Sequence, residues 1–138
     1  MVFMAHCHLV ATVFMVGLIW FVQVVHYPLF NRILGDASIH YAVEHQRRTA
    51  WVVGLPMLVE GVTALWLFFD PVNGRILPLL GGLVLVKIHL STIFLQIPLH
   101  KKLSAGHDRE VVGKLVATNW IRTIGWTIRA SIAVAIVV

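Results

Sequence analysis

Residues 51–69, WVVGLPMLVEGVTALWLFF, decide the class of fold. These nineteen residues carry one ionisable side chain, Glu60, and it stands at their centre. A helix needs ~20 consecutive apolar residues to cross the ~30 Å of hydrocarbon in a bilayer. The stretch therefore reads as a membrane span. A charge at mid-span costs roughly 2.5 to 3.5 kcal/mol on insertion scales and is rarely idle, so Glu60 is expected to have a partner inside the protein.

Outward from this run, three more of the same kind cover about 9–25, 76–99 and 111–138. The whole chain of 138 residues is 59% hydrophobic and 12% charged, with a mean hydropathy of +0.86. Soluble domains carry charge on roughly a quarter of their residues, and no water-facing surface tolerates helices that are apolar on most sides. The expected fold is all-α, a four-transmembrane-helix bundle forming one domain over residues 1–138, with helices over about 5–28, 49–70, 76–99 and 112–138. Pro28 and Asn31 close the first run, Asp70-Pro71-Val72-Asn73-Gly74 turns after the second, and Pro98 with Ser104-Ala105-Gly106 closes the third. Residues 31–49 and 100–110 read as polar loops. A signal peptide is the rival reading of the first run, but no Lys or Arg precedes it and no small-x-small cleavage site follows, so a retained helix is expected.

Charge sets the expected orientation. Arg32, Arg47, Arg48, Lys101, Lys102, Arg109 and Lys114 fall on one side, against Arg75 in the single loop of the other. Short basic loops stay cytoplasmic, which predicts a multi-pass protein of the cell (inner) membrane with both termini periplasmic or extracellular. The net charge of +5 belongs to this signal and to anionic lipid head groups. No nucleic-acid motif accompanies it, so nucleic acid is not an expected partner. Cys7 is the lone cysteine, which excludes an internal disulfide.

The order Gln23, Pro28-Leu29, Arg48-Thr49 is echoed by Gln96, Pro98-Leu99, Arg122-Thr123. The echo admits two parallel helical-hairpin repeats, related by an axis along the membrane normal.

Polar residues within the apolar runs form one stripe per helix. His8, Thr12, Gln23 and His26 share a face of the first; Thr49, Pro56, Glu60 and Thr63 share one of the second, with His45 just before it. The third carries His89, Thr92 and Gln96, then His100, and the fourth carries Asn119, Arg122, Trp126 and Arg129. Turning four stripes inward gives a polar core and leaves apolar faces to lipid. Counting along the helices puts Glu60, His89 and Arg129 near the midplane. Gln23, His26, His45, Gln96, His100, Asn119 and Arg122 fall nearer the cytoplasmic mouth, with His8 apart at the opposite surface. Lys87 falls on another face of its helix and is excluded from the site.

Such an interior suits a transition metal (iron, copper or zinc) or haem b, with Arg122 and Arg129 available to propionates or an anionic substrate. His26, His45 and His100 are the candidate metal ligands. Glu60 and His89 are the candidate catalytic pair, and Gln23, Gln96, Asn119, Arg122 and Arg129 the candidate cofactor-binding set. The plainer readings are a structural Glu60–Arg129 ion pair and interfacial histidines with no ligand.

Residues 21–30 (FVQVVHYPLF), 45–49 (HQRRT) and 118–123 (TNWIRT) resemble a family of small four-helix bacterial membrane proteins, a likeness that spans the chain and implies the same topology. The pattern Asn119-x-x-Arg122-Thr123 is also distantly similar to anthrone-oxygenase-like membrane proteins, which implies oxidation of a hydrophobic aromatic substrate within the bilayer. The leading expectation is a membrane-embedded redox protein, an oxygenase or oxidoreductase for a lipophilic substrate. The alternatives are a non-enzymatic binder or transporter with a polar intramembrane pocket, and a structural subunit of a membrane complex or homo-oligomer.

Overall fold

A computed structural model describes all residues, Met1 to Val138. Four helices long and apolar enough to cross a membrane make up the molecule: α1 (Val2–Arg32), α2 (Asp36–Phe69), α3 (Ile76–Leu103) and α4 (Arg109–Val137). There are no strands. α4 packs against both α1 and α3, and α2 packs against α1 and less extensively against α3. Both termini therefore lie at the end of the bundle that also holds the α2–α3 turn.

Burial is inverted relative to a protein in water. His8, Thr12, Gln23, Glu60, Gln96, Asn119, Thr123 and Arg129 are all buried, whereas Trp51 is 82% exposed, Phe94 69% and Leu55 68%. Only an apolar solvent makes that arrangement favourable, so the polar-cored membrane bundle expected from the stripes is the observed fold.

The helix boundaries differ from the hydropathy reading. α2 begins at Asp36, so the stretch expected to loop over 31–49 is mostly helix, and α3 runs on to Leu103, which places His100 on a helix. The reason is that hydropathy reports the solvent a segment prefers, not its backbone state. Residues 36–49 are more polar than the span that follows but contain no Gly or Pro to break a helix, with Asp36 in the first turn and Glu44 paired to Arg47 and Arg48 at helical spacing. At 34 residues, α2 is ~50 Å long by its rise of ~1.5 Å per residue, so its first turns extend beyond ~30 Å of hydrocarbon.

The turns use ordinary chemistry. Gly35 adopts φ +67° before α2, where its carbonyl accepts from Ser38 Oγ at 2.6 Å, and Gly74 adopts φ +86° in the α2–α3 turn. Asp108 caps α4, accepting from the backbone N–H groups of Glu110 and Val111 at 2.8 and 3.1 Å.

One distortion occurs twice. Val22–His26 in α1 and Thr92–Gln96 in α3 are π-helical turns, and each begins six residues before a proline, Pro28 and Pro98. A proline has no N–H to offer the carbonyl four residues back and its ring crowds that carbonyl, so the ladder slips to the wider spacing. The two hairpins thus share a local deformation at matching positions, which agrees with the internal echo in the sequence.

At Gly125, α4 lies close against α3. A Cβ there would stand 2.7 Å from Ile88 Cγ1 and 3.0 Å from Ile88 Cδ1, and Ile88 is buried. Gly125→Ala should lower stability by about 1–3 kcal/mol through overpacking. Gly113→Ala, where a Cβ meets nothing within 4 Å, should be neutral or stabilise by about 0.5–1 kcal/mol. Thermal unfolding in detergent compares the two, and equal effects would show that α3 and α4 are not in tight contact there.

Candidate functional site

The polar interior divides into three levels. At the end holding the termini, Arg129 of α4 donates from Nε to Glu60 Oε1 at 2.8 Å, and its terminal nitrogens donate to the same oxygen and to the Gly81 carbonyl of α3. Thr12 of α1 also donates to Glu60 Oε1, at 3.1 Å. One carboxylate and one guanidinium thereby join all four helices. Glu60 Oε2 is buried without a partner.

His8 belongs to this level. Its Nδ1 lies 2.9 Å from Thr63 Oγ1 and its Nε2 3.9 Å from Glu60 Oε1. The Thr63 hydroxyl is also 2.7 Å from the Val59 carbonyl, and His8 Nε2 faces the carboxylate. His8 does not sit apart as expected: helix α1 starts at Val2, and one face of its first turns, with Ala5 and His8, is buried in the bundle. His89, expected beside Glu60, is half-buried and donates to the Leu85 carbonyl of its own helix at 3.0 Å. The histidine against Glu60 is His8.

At the middle level, Asn119 Nδ2 donates to Gln23 Oε1 at 2.9 Å, Thr123 donates to the same oxygen at 3.2 Å, and Gln23 Nε2 donates to the Val116 carbonyl at 3.1 Å. Gln96 Nε2 donates to Thr118 at 2.8 Å. Four of the five candidate cofactor-binding residues, Gln23, Gln96, Asn119 and Arg129, thus spend hydrogen bonds tying helices together. The fifth, Arg122, donates to Asn119 Oδ1 at 3.3 Å, has no carboxylate partner, and keeps a buried Nε without a bond.

The third level gathers the candidate metal ligands. His26 Nε2 and His45 Nδ1 lie 2.7 Å apart and share one hydrogen, with ring centroids 4.4 Å apart. The His100 ring centroid is 5.2 Å from that of His45; His100 Nε2 bonds the Tyr27 hydroxyl at 2.9 Å, and its Nδ1 is buried without a partner. Tyr41 Oη is 3.5 Å from His26 Nδ1, and Thr49 Oγ1 is 3.2 Å from His45 Nδ1. His45 and His100 are held on helices, not on loops, so the adaptability that loops would give them is absent. The three rings come together, but their nitrogens engage one another and Tyr27. No group of three His, Cys, Asp or Glu side chains has the spacing of a metal-ligand set.

A groove of about 370 Å³ opens beside this cluster between α1 and α2. Leu18, Phe21, Val22 and Val52 form its apolar walls, while His26, Tyr41, Glu44, His45, Arg48 and Thr49 form its polar end. Tyr27, Tyr41 and Thr49 were not among the expected site residues. Their signal was position: Tyr41 and Thr49 stand four residues either side of His45, on its face of α2.

Glu60→Gln or Arg129→Met alone should cost about 3–5 kcal/mol, since each leaves a buried charge unpaired, and the double variant should recover much of the loss. A double-mutant cycle with additive costs would show that the pair carries no coupling. Comparison of the chain with models of known families, with curated proteins and with solved structures finds no match.

Proposed function

We propose that this protein is a membrane-embedded site for a lipophilic small molecule, which enters sideways between α1 and α2 and presents its polar group to His26 and His45. The meeting of the groove with the imidazole cluster carries this reading. The same cavity has apolar walls continuous with the lipid-facing surface and an end where two histidines, a tyrosine and a threonine offer donors and acceptors. Ligand pockets combine a mostly apolar lining with a few convergent polar groups in this way.

An oxygenase or oxidoreductase role toward that molecule is the second reading. The unpartnered Nδ1 of His100 beside the His26–His45 pair favours it, since a buried imidazole nitrogen without a bond is costly unless a ligand uses it. Iron, copper or haem b, held through His26, His45 and His100, would supply the electron or oxygen chemistry when bound, whereas zinc at the same residues would have no redox chemistry to supply. Arg122, whose Nε is buried without a partner, is the interior cation suited to a propionate or other anion. Within the Asn-x-x-Arg-Thr pattern that resembles anthrone-oxygenase-like proteins, Asn119 and Thr123 would act by positioning, through Gln23.

The basic residues at the α1–α2 and α3–α4 ends support an orientation with those connections in the cytoplasm and both termini outside. Reporter fusions after Val138 and after Ala105 should therefore report opposite compartments, and a shared compartment would overturn this orientation.

Protein purified without chelator or histidine tag should release a bound lipophilic molecule on solvent extraction, as read by mass spectrometry. Val52→Trp, which fills the groove, and His45→Ala should both lose it. Stoichiometric metal or a haem absorption band that is lost in His26→Ala, His45→Ala and His100→Ala would establish the redox reading. A preparation with neither lipophile nor metal would overturn both.

A further inference from the structure

We infer that the molecule taken up at the His26–His45 end is an amphiphile with a neutral phenol- or quinol-type head and one long apolar tail, and that the tail lies along the α1–α2 seam for most of the membrane's thickness. This rests on the reading that the imidazole pair receives the ligand's polar group.

The seam contains a second groove, of about 530 Å³, beyond the first. Its walls are mostly apolar, made by Phe3, Val10 and Phe14 of α1 with Leu55 and Val59 of α2, and His6 also lines it. The two grooves follow single helical stripes. On α1, Phe3, Cys7, Val10, Phe14, Leu18 and Phe21 recur at intervals of three or four and line one face, the last two in the groove beside the histidines. On α2 the corresponding stripe is Arg48, Val52, Leu55 and Val59. One helical turn, from Phe14 to Leu18 and from Val52 to Leu55, lies between the two grooves, which are aligned along one seam as a single track would require. From Phe3 to Phe21 the track runs ~27 Å at ~1.5 Å per residue, close to the ~30 Å of hydrocarbon. Its width is one stripe, which suits a single chain.

The polar end selects the head. Arg48 Nε donates to Glu44 Oε2 at 3.0 Å, so the arginine and the carboxylate that line this end are paired, Arg47 sharing the same oxygen at 2.9 Å. What remains is neutral and mixed, the imidazoles of His26 and His45 with the hydroxyls of Tyr41 and Thr49, which match a group that both donates and accepts hydrogen bonds. Phe21 stacks on His26, with ring centroids 6.5 Å apart and an interplanar angle of 21°, and Tyr41 tilts against it at 6.0 Å. Aromatic walls of this kind favour a planar aromatic head.

The test uses the full chain in phosphatidylcholine nanodiscs, with empty nanodiscs as the blank. One probe is tail-free hydroquinone; the other is decylhydroquinone carrying a diazirine at the tail end. Val10→Trp/Leu55→Trp fills the upper groove at two exposed, lipid-facing positions. Photolabel is expected on α1 and α2 around the upper groove, displaced by unlabelled decylhydroquinone and reduced about tenfold in the double variant, the effect of one or two methylene groups losing their contact. Tail-free hydroquinone should bind the double variant as it binds the parent, and about tenfold more weakly to His45→Ala. If tail-free binding depends on His45 but the label scatters over α3 and α4 or ignores the double variant, the seam proposal fails and the head-group site stands. If excess dioleoyl phosphatidic acid displaces the label, the occupant is a phospholipid and the proposal fails. If neither probe binds in a His45-dependent way, the site itself is wrong.

Discussion

A carboxylate moved out of water must take its counter-charge with it, and this bundle meets that constraint with one pair. Glu60 on α2 and Arg129 on α4 neutralise each other where neither could be buried alone. Thr12 on α1 donates to the same carboxylate oxygen, and the Gly81 carbonyl on α3 accepts from the guanidinium, so every helix is bound to the pair. With no hydrophobic force between helices in lipid, such contacts, together with close packing at small residues, fix which faces meet.

The rest of the interior follows from that choice of faces. Once α2 and α4 turn Glu60 and Arg129 inward, the residues at helical spacing on the same stripes must also be inside. Asn119, Thr123 and Trp126 on α4 and Thr63 on α2 are buried accordingly. Asn119 and Thr123 bond Gln23 of α1 and Thr63 meets His8 of α1, whereas Trp126 Nε1 is buried without a partner. The remaining unpaired atoms are few: Glu60 Oε2, Gln96 Oε1, His100 Nδ1 and Arg122 Nε are among them. Atoms of this kind, costly when left bare, mark where the interior is built for something other than holding itself together.

The π-helical turns connect the framework to the site. Pro28 and Pro98 widen the helix just before them, and in α1 the widened turn ends at His26. The deformation sets the direction in which His26 leaves its helix, toward His45. The matching turn in α3 ends at Gln96, which donates to Thr118 and so ties α3 to α4. One backbone device thus serves the polar cluster in the first hairpin and helix packing in the second.

The sequence alone determined the solvent, the number of crossings and the inward stripes, because hydropathy and helical periodicity are local properties that each segment carries by itself. It also singled out Glu60 with Arg129, since a mid-span charge demands an opposite one at the same depth. The lengths of α2 and α3 were not legible in hydropathy, because polar residues 36–49 and 100–103 remain helical outside the apolar runs. Only the tertiary structure decided which histidine meets Glu60. His8 and His89 both lie on inward stripes, and the choice depends on the relative axial shift and rotation of α1, α2 and α3, to which no single helix is sensitive. The same holds for the third level, where His26, His45 and His100 were expected together but Tyr27, Tyr41 and the adjoining groove exist only through the packing of α1 against α2 and α3.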